Sequence, residues 1–200
     1  LPPYGAFGIP EADLLKMPGY RQPKDQDIAE AKRLLAEAGH PNGFKTEILG
    51  RPDADEDFAI FFKAQLAILG IDATVKMVDT AVRNQLYAQR NFEITVITYG
   101  LKTLDPDDIS RYFLKGAPQN YNDFYDEKVE ELFSKETRTI DVAERKKIVL
   151  ELQHRLLDIG GAIIAYWYAQ RASYWPELRN YAPGISPYNI NKYQDVWLAK

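Results

Sequence analysis

Two hundred residues with a net charge of −4 and no basic run longer than Arg145-Lys146-Lys147 offer no concentrated cationic face to a phosphate backbone, so nucleic acid is excluded as the main partner. The absence of cysteine, with only His40 and His154 as imidazoles, removes disulfide frameworks, thiol nucleophiles and Cys/His zinc sites. A 46% hydrophobic share suits a globular chain long enough to bury a core. The longest apolar run, residues 160–169, is shorter than the roughly 20 residues that cross a bilayer. The chain opens LPPYG, with no Met, basic segment or apolar stretch. This points to a removed signal peptide or to an internal piece of a longer chain.

Residues 1–26 hold five prolines and three glycines and read as an irregular arm. Asp27, with Glu30 three residues on, then predicts a capped helix with Ile28, Ala31, Leu35 and Ala38 on one face. Gly39 ends it, and His40-Pro41-Asn42-Gly43 turns the chain into an alternating strand over 44–49. A helix over 55–69 carries Phe58, Phe62, Leu66 and Leu69 on one side and stops at Gly70. Ile71, Ala73, Val75 and Met77 alternate with polar residues, which predicts a half-buried strand over 71–78. A helix over 80–90 and a strand over 92–99 follow. This α-β-α-β-α-β order with short loops predicts an α/β domain with the three strands in one sheet.

The second half begins with a short helix over 126–135. A long helix starts at Asp141, where Glu144 completes a capping box, and carries a stripe of Val142, Val149, Leu152, Leu156 and Ile159. Residues 162–169 read as a buried strand, and 174–200, rich in Tyr, Trp, Pro and Asn, as short strands and turns.

No serine sits in a G-x-S-x-G context, no glycine pattern suits a nucleotide, and His154 lies in a charge-rich helix. The stretch VITYGLKTLDPDDISRYF, 96–113, places Lys102, Asp105, Asp107 and Asp108 just past a strand. Three aspartates in four residues suit glycosidase-like carboxylate chemistry or a cation site. They equally suit helix capping with Pro106 at the first position, the reading favoured for Asp107 and Asp108 and evenly balanced for Asp105. Arg51 ends a strand, where open α/β sheets bind ligands, but is equally a solvated loop residue. Tyr166, Trp167 and Tyr168 alternate, so at most two face a cleft. Asn120-Tyr121-Asn122 reads as turn chemistry or as recognition by side-chain amides.

The pieces DIAEAKRLLAEAGHPNGF, QLAILGIDATV, FEITVITYG followed by DPD, NYNDFYDEKVEEL, ERKKIVLELQHRLL, IIAYW and DVWLAK occur in this order across residues 27–200. Together they resemble the C-terminal lobe of the extracytoplasmic solute-binding proteins of ABC importers, in the peptide, nickel and opine class (bacterial extracellular solute-binding family 5). The resemblance implies an α/β, periplasmic-binding-protein-like lobe: a mixed, mostly parallel sheet flanked by helices, with the arm 1–26 before it and a short-strand tail after it. Residues 27–200 would be the ligand-binding lobe of a clamshell protein whose N-terminal lobe is absent here. It further implies a periplasmic protein with no enzymatic activity and no cofactor. Its partners would be a small solute (an oligopeptide, opine or similar, including one with an anionic group) and ABC permease subunits.

In the peptide-binding members an acidic residue four positions before the D-P proline pairs with the ligand's ammonium group. Here that position holds Lys102, which would attract an anionic group instead or, equally, is a solvated loop lysine that meets no ligand. The candidate ligand-binding residues are therefore Arg51, Tyr99, Lys102, Asp105, Asn120 and Trp167. The rival readings are a glycosidase- or lyase-type enzyme built on Asp105, Asp107 and Asp108, and a solute-sensing receptor module.

Overall fold

The alternating helices and strands predicted between residues 27 and 99 form one parallel sheet. A computed structural model describes residues 1–101, 103, 105–160, 162–167, 173–181 and 194–199. The chain divides into two compact units, Ala12–Thr98 and Leu1–Glu11 with Tyr99–Lys200. A single helical turn, α1 (Glu11–Leu14), spans the boundary in sequence.

The unit Ala12–Thr98 runs α2 (Asp25–Glu37), β1 (Lys45–Gly50), α3 (Glu56–Ile68), β2 (Asp72–Met77), α4 (Thr80–Ala88) and β3 (Ile94–Thr95). The sheet order is β2-β1-β3, with both pairings parallel and Ile48 opposite Val75 on one side and Ile94 on the other. Parallel neighbours need a crossover, and α3 and α4 supply it. In the central strand the predicted alternation is corrected: the consecutive residues Ile48 and Leu49 are both buried, because this strand is covered on both faces. On β2, Ala73 is buried while Asp72, Thr74 and Lys76 are exposed, the predicted half-buried pattern. Ile48, Ala59 and Ala73 centre a core that Phe62, Leu66, Val75, Met77, Ile94 and Val96 complete. The turns at the sheet's base touch: a Cβ on Gly43 (φ +77°) would lie 1.9 Å from the Gly70 carbonyl oxygen, so no side chain fits there.

Two further expectations are corrected in this unit. First, α2 begins at Asp25, and Asp27 does not cap it. The Asp27 carboxylate instead accepts the Gly19 N–H (2.9 Å) and the Arg21 Nε–H (2.6 Å), bending the arm back toward the helix. Second, β3 pairs only at Ile94–Thr95 rather than over 92–99. One more bond follows, Val96 N–H to the Leu49 carbonyl. Beyond it the partner strand has no donors to offer, because the Arg51 N–H is taken by Asp55 and Pro52 has none.

The other unit continues from Tyr99 through a 3-10 turn (Pro106–Ile109) into α5 (Ser110–Phe113), α6 (Glu127–Thr137), α7 (Val142–Asp158), β4 (Leu178–Arg179) and β5 (Trp197–Leu198). Its core is Ile109, Tyr112, Phe113, Val129, Leu132, Phe133, Ile148, Leu152 and Leu156. Asp126 caps α6 by accepting the Val129 N–H, and Arg155 of α7 clamps the same carboxylate at 2.6 Å. Asp141 caps α7 through the Glu144 N–H (2.9 Å), while the Glu144 carboxylate takes Lys147.

The predicted α7 stripe is corrected at its start: Val142 is 68% exposed, and Ile148 joins the core instead. One turn before Ile148 the interface is occupied by Arg145 and its carboxylate partners, so the apolar contact ends there. Residues 162–167 carry no strand, and Ile163 and Tyr166 are exposed. An apolar, β-prone composition does not by itself supply a ladder partner. Residues 168 and 169 lie outside the described ones. The tail does contain short strands, β4 and β5 being antiparallel, and it exposes Trp175 and Trp197.

Candidate functional site

The Asp105-Pro106-Asp107-Asp108 run is built around a cap. Asp105 has extended backbone angles (φ −75°, ψ 137°) and its Oδ1 accepts the Asp107 N–H at 3.0 Å, with Pro106 at the first turn position. The expected capping by Asp107 and Asp108 is therefore corrected: those two already lie inside the turn and point elsewhere. Asp107 accepts the Thr137 hydroxyl (3.1 Å), and Asp108 accepts the Thr103 N–H (3.4 Å) and Arg111 (3.2 Å). Both Asp105 oxygens also receive Arg145 from α7, at 3.0 and 2.8 Å, a bidentate pair. Those Arg145 bonds, opposed by partial burial and helped by the Asp107 N–H, hold the Asp105 carboxyl below the usual carboxylate range.

Tyr99, Asp105, Asn120 and Trp167 all belong to this unit. The Tyr99 ring packs 4.2 Å from Tyr112 at the edge of the core, and the next residue, Gly100, has its carbonyl bonded by the Arg111 guanidinium and the Tyr112 hydroxyl. Trp167 is half-buried beside exposed Tyr166. Lys102 lies outside the described residues. Asn120 is 8% exposed and performs turn chemistry: its Nδ2 donates to the Leu114 and Phe124 carbonyls (3.0 and 2.7 Å), and its Oδ1 accepts the Phe124 N–H (2.8 Å). Asn120→Ala removes the partner of three main-chain groups, so urea denaturation should show a loss of about 2 kcal/mol. A loss below about 0.5 kcal/mol, the level of an ordinary surface change, would show that water replaces the amide fully.

Arg51 stands in the other unit, at the C-terminal end of β1. Its N–H, Nε and Nη2 all donate to Asp55 (3.0, 2.8 and 3.0 Å), a carboxylate that is 1% exposed. Arg83 of α4 approaches the same carboxylate at 4.0 Å and stacks its guanidinium over Tyr87 at 5.0 Å. Burial works against ionisation of Asp55, yet the Arg51 bonds and the two arginine charges outweigh it and leave its pKa lowered. Two guanidiniums thus share one buried carboxylate at the C-terminal end of the central strand, leaving a net positive charge there. Sequence reading named Arg51 but missed Asp55 and Arg83; the four-residue spacing of Arg51 and Asp55 was the available local signal.

The family model described as bacterial extracellular solute-binding proteins, family 5 Middle, matches residues 5–121. This chain belongs to that family. The match runs through β1, β2 and β3 and on to Asn120, so it includes Arg51, Tyr99, Lys102, Asp105 and Asn120. The family 5 fold recurs in solved structures. HbpA2 from Haemophilus parasuis is 22% identical, with a TM-score of 0.70 over 86% of this chain and 35% of its own. DppA from Helicobacter pylori, in complex with the peptide STSA, is 24% identical with a TM-score of 0.59 over 74% of this chain and 30% of its own. AgaA from A. tumefaciens R10, in complex with agropinic acid, is 25% identical with a TM-score of 0.61 over 78% of this chain and 38% of its own. The chain spans about a third of the length of these relatives. No curated protein sequence matches it.

The periplasmic-binding-protein-like α/β lobe with its parallel sheet flanked by helices is therefore the fold of this family 5 chain. Among the described residues, no helix is long and apolar enough to cross a membrane, and no group of three or more acidic or histidine side chains is arranged to hold a metal ion.

Proposed function

We propose that this family 5 chain is one ligand-binding lobe of an extracytoplasmic binding protein. In this reading the complete protein captures a small polar solute in the periplasm and delivers it to the permease subunits of an ABC importer. It acts by binding and domain closure, without chemical conversion of the solute. The observation that carries the reading is the family match over residues 5–121. The relative AgaA, in complex with agropinic acid, supports a small anion-bearing solute. Ligand contacts are assigned to Arg51, Tyr99, Lys102, Asp105, Asn120 and Trp167. Arg51 is already engaged by Asp55, Asp105 by Arg145 and Asn120 by its own loop. They would meet a solute with only their remaining hydrogen-bonding capacity.

Lys102, four positions before Pro106, sets the expected charge preference. A lysine drawn out of water by a closing cleft requires an anion to replace its hydration. Calorimetry on the full-length protein with a panel of anionic solutes and free-amine peptides tests this. Lys102→Asp should weaken binding of the anionic solute about 100-fold, on the order of 3 kcal/mol. Tight binding of ordinary peptides by both forms would remove Lys102 from the site. No binding of any small solute, together with turnover of a glycoside, would overturn the binding-protein reading.

A further inference from the structure

Three carboxyl groups surround one guanidinium at the junction of the 3-10 turn with α6 and α7. Glu136, in the last turn of α6, is 0% exposed, and its Oε2 accepts the Arg145 Nε–H at 2.8 Å. Arg145 commits Nη1 and Nη2 to Asp105, and its Nη2 lies 3.8 Å from Asp107. The other Glu136 oxygen, Oε1, is sealed from water and finds no hydrogen-bond donor among the described residues. An ionised carboxylate with a buried, undonated oxygen is expensive in a protein interior, whereas a protonated carboxyl makes that oxygen a donor. Asp107 offers an acceptor: its carboxylate lies 3.8 Å from Nη2 of the guanidinium that holds Glu136, and it acts on the Glu136 carboxyl. With one cation among three acids, full ionisation would also leave a net charge of −2 in the cluster.

We infer that Glu136 carries a proton near neutral pH and donates it to Asp107, so that a proton-bearing clasp of Glu136, Asp107, Arg145 and Asp105 fastens the turn at residues 105–109 to α6 and α7. Among the described residues, the charged groups that act on Glu136 are Asp107 from the turn and Arg145 from α7, with Asp105 coupled through Arg145. Burial, reinforced by Asp107 and offset by Arg145, pushes the Glu136 carboxyl up to about 7. The turn begins at Asp105, so Glu136 and Arg145 are positioning residues for that member of the candidate site. That last consequence rests on the function proposed above; the shared proton does not.

Linkage gives the sign. The folded chain holds the proton where the unfolded chain, with Glu136 in its ordinary range near 4.3, has lost it. The contribution to stability is complete below about pH 4 and falls as pH rises, levelling once Glu136 has ionised near 7. Glu136→Gln mimics the protonated form, since its amide donates to Asp107 while its carbonyl oxygen accepts from Arg145.

The test needs no solute, so its failure would leave the proposed function untouched. Urea midpoints of the 200-residue chain are measured from pH 5 to 8 for wild type and Glu136→Gln, with a ¹³C NMR titration of the Glu136 carboxyl in the wild type. The midpoint should decline with pH in the wild type relative to the variant, the variant should equal or exceed it at pH 8, and the carboxyl signal should titrate near neutrality. Asp107→Asn should move that titration toward lower pH. A Glu136 signal already ionised at pH 5 would overturn the inference. So would a variant that fails to fold or is less stable at every pH, because glutamine reproduces the protonated geometry.

Discussion

Replacing Asp55 by alanine should remove about 3–5 kcal/mol from the stability of the unit Ala12–Thr98. The carboxylate is 1% exposed and accepts three bonds from Arg51, including its main-chain N–H, with Arg83 at 4.0 Å. Alanine leaves two guanidiniums facing each other without an anion. Arg83 is poorly placed to adapt, since its Nε is already buried without a partner among the described residues. Hydrogen exchange at the β1 amides, with urea denaturation at pH 7, reads the loss.

The pH dependence follows from the depressed Asp55 pKa. Its stabilisation is present above the unfolded value near 3.9 and is lost as pH falls through the folded value, so wild type and variant should converge in strong acid. An Asp55→Ala chain within about 0.5 kcal/mol of wild type at pH 7 would show that water screens both arginines, as for an ordinary surface pair. The same variant frees Arg51, so in the full-length protein it would raise Arg51's capacity for an anionic solute even as it weakens the scaffold.

The second large effect is expected in the other unit, where Leu152→Ala should cost about 3 kcal/mol. Leu152 is fully buried among Val129, Leu132, Phe133, Ile148 and Leu156, and truncating it opens a cavity that two packed helices cannot readily close. Leu152→Met keeps the volume and should cost less than about 1.5 kcal/mol. Val142→Ala, on the same stripe in sequence, should change stability by no more than about 0.5 kcal/mol because Val142 is 68% exposed. Equal losses at positions 142 and 152, measured by urea denaturation, would place the end of the core at Val142, nearly two turns before Ile148.

The contrast between Val142 and Leu152 shows where sequence reading stops. Helix periodicity puts both residues on one face, and this much the chain encodes locally. The parallel sheet was legible for the same reason: the β2 alternation and the helices between strands each depend on a few neighbouring residues. The Asp141 cap closes within three residues, and the Gly39 and Gly70 helix stops are local too. Family membership was legible because it rests on many such short stretches in a kept order.

The charge partners are of another kind. Arg145 reaches Asp105 across 40 positions and Glu136 across nine, joining a turn and two helices, and no spacing rule links residues that meet only after α6 and α7 have packed. That packing gives the capping residue, Asp105, its second partner, the Arg145 guanidinium. It makes Glu136, unremarkable in a charge-rich helix, a fully buried acid. It also ends the apolar seam at Ile148. Local hydrogen bonds and periodicity are properties of neighbouring residues and survive in sequence. Burial and long-range charge pairing depend on which surfaces meet, and only the tertiary structure decides that.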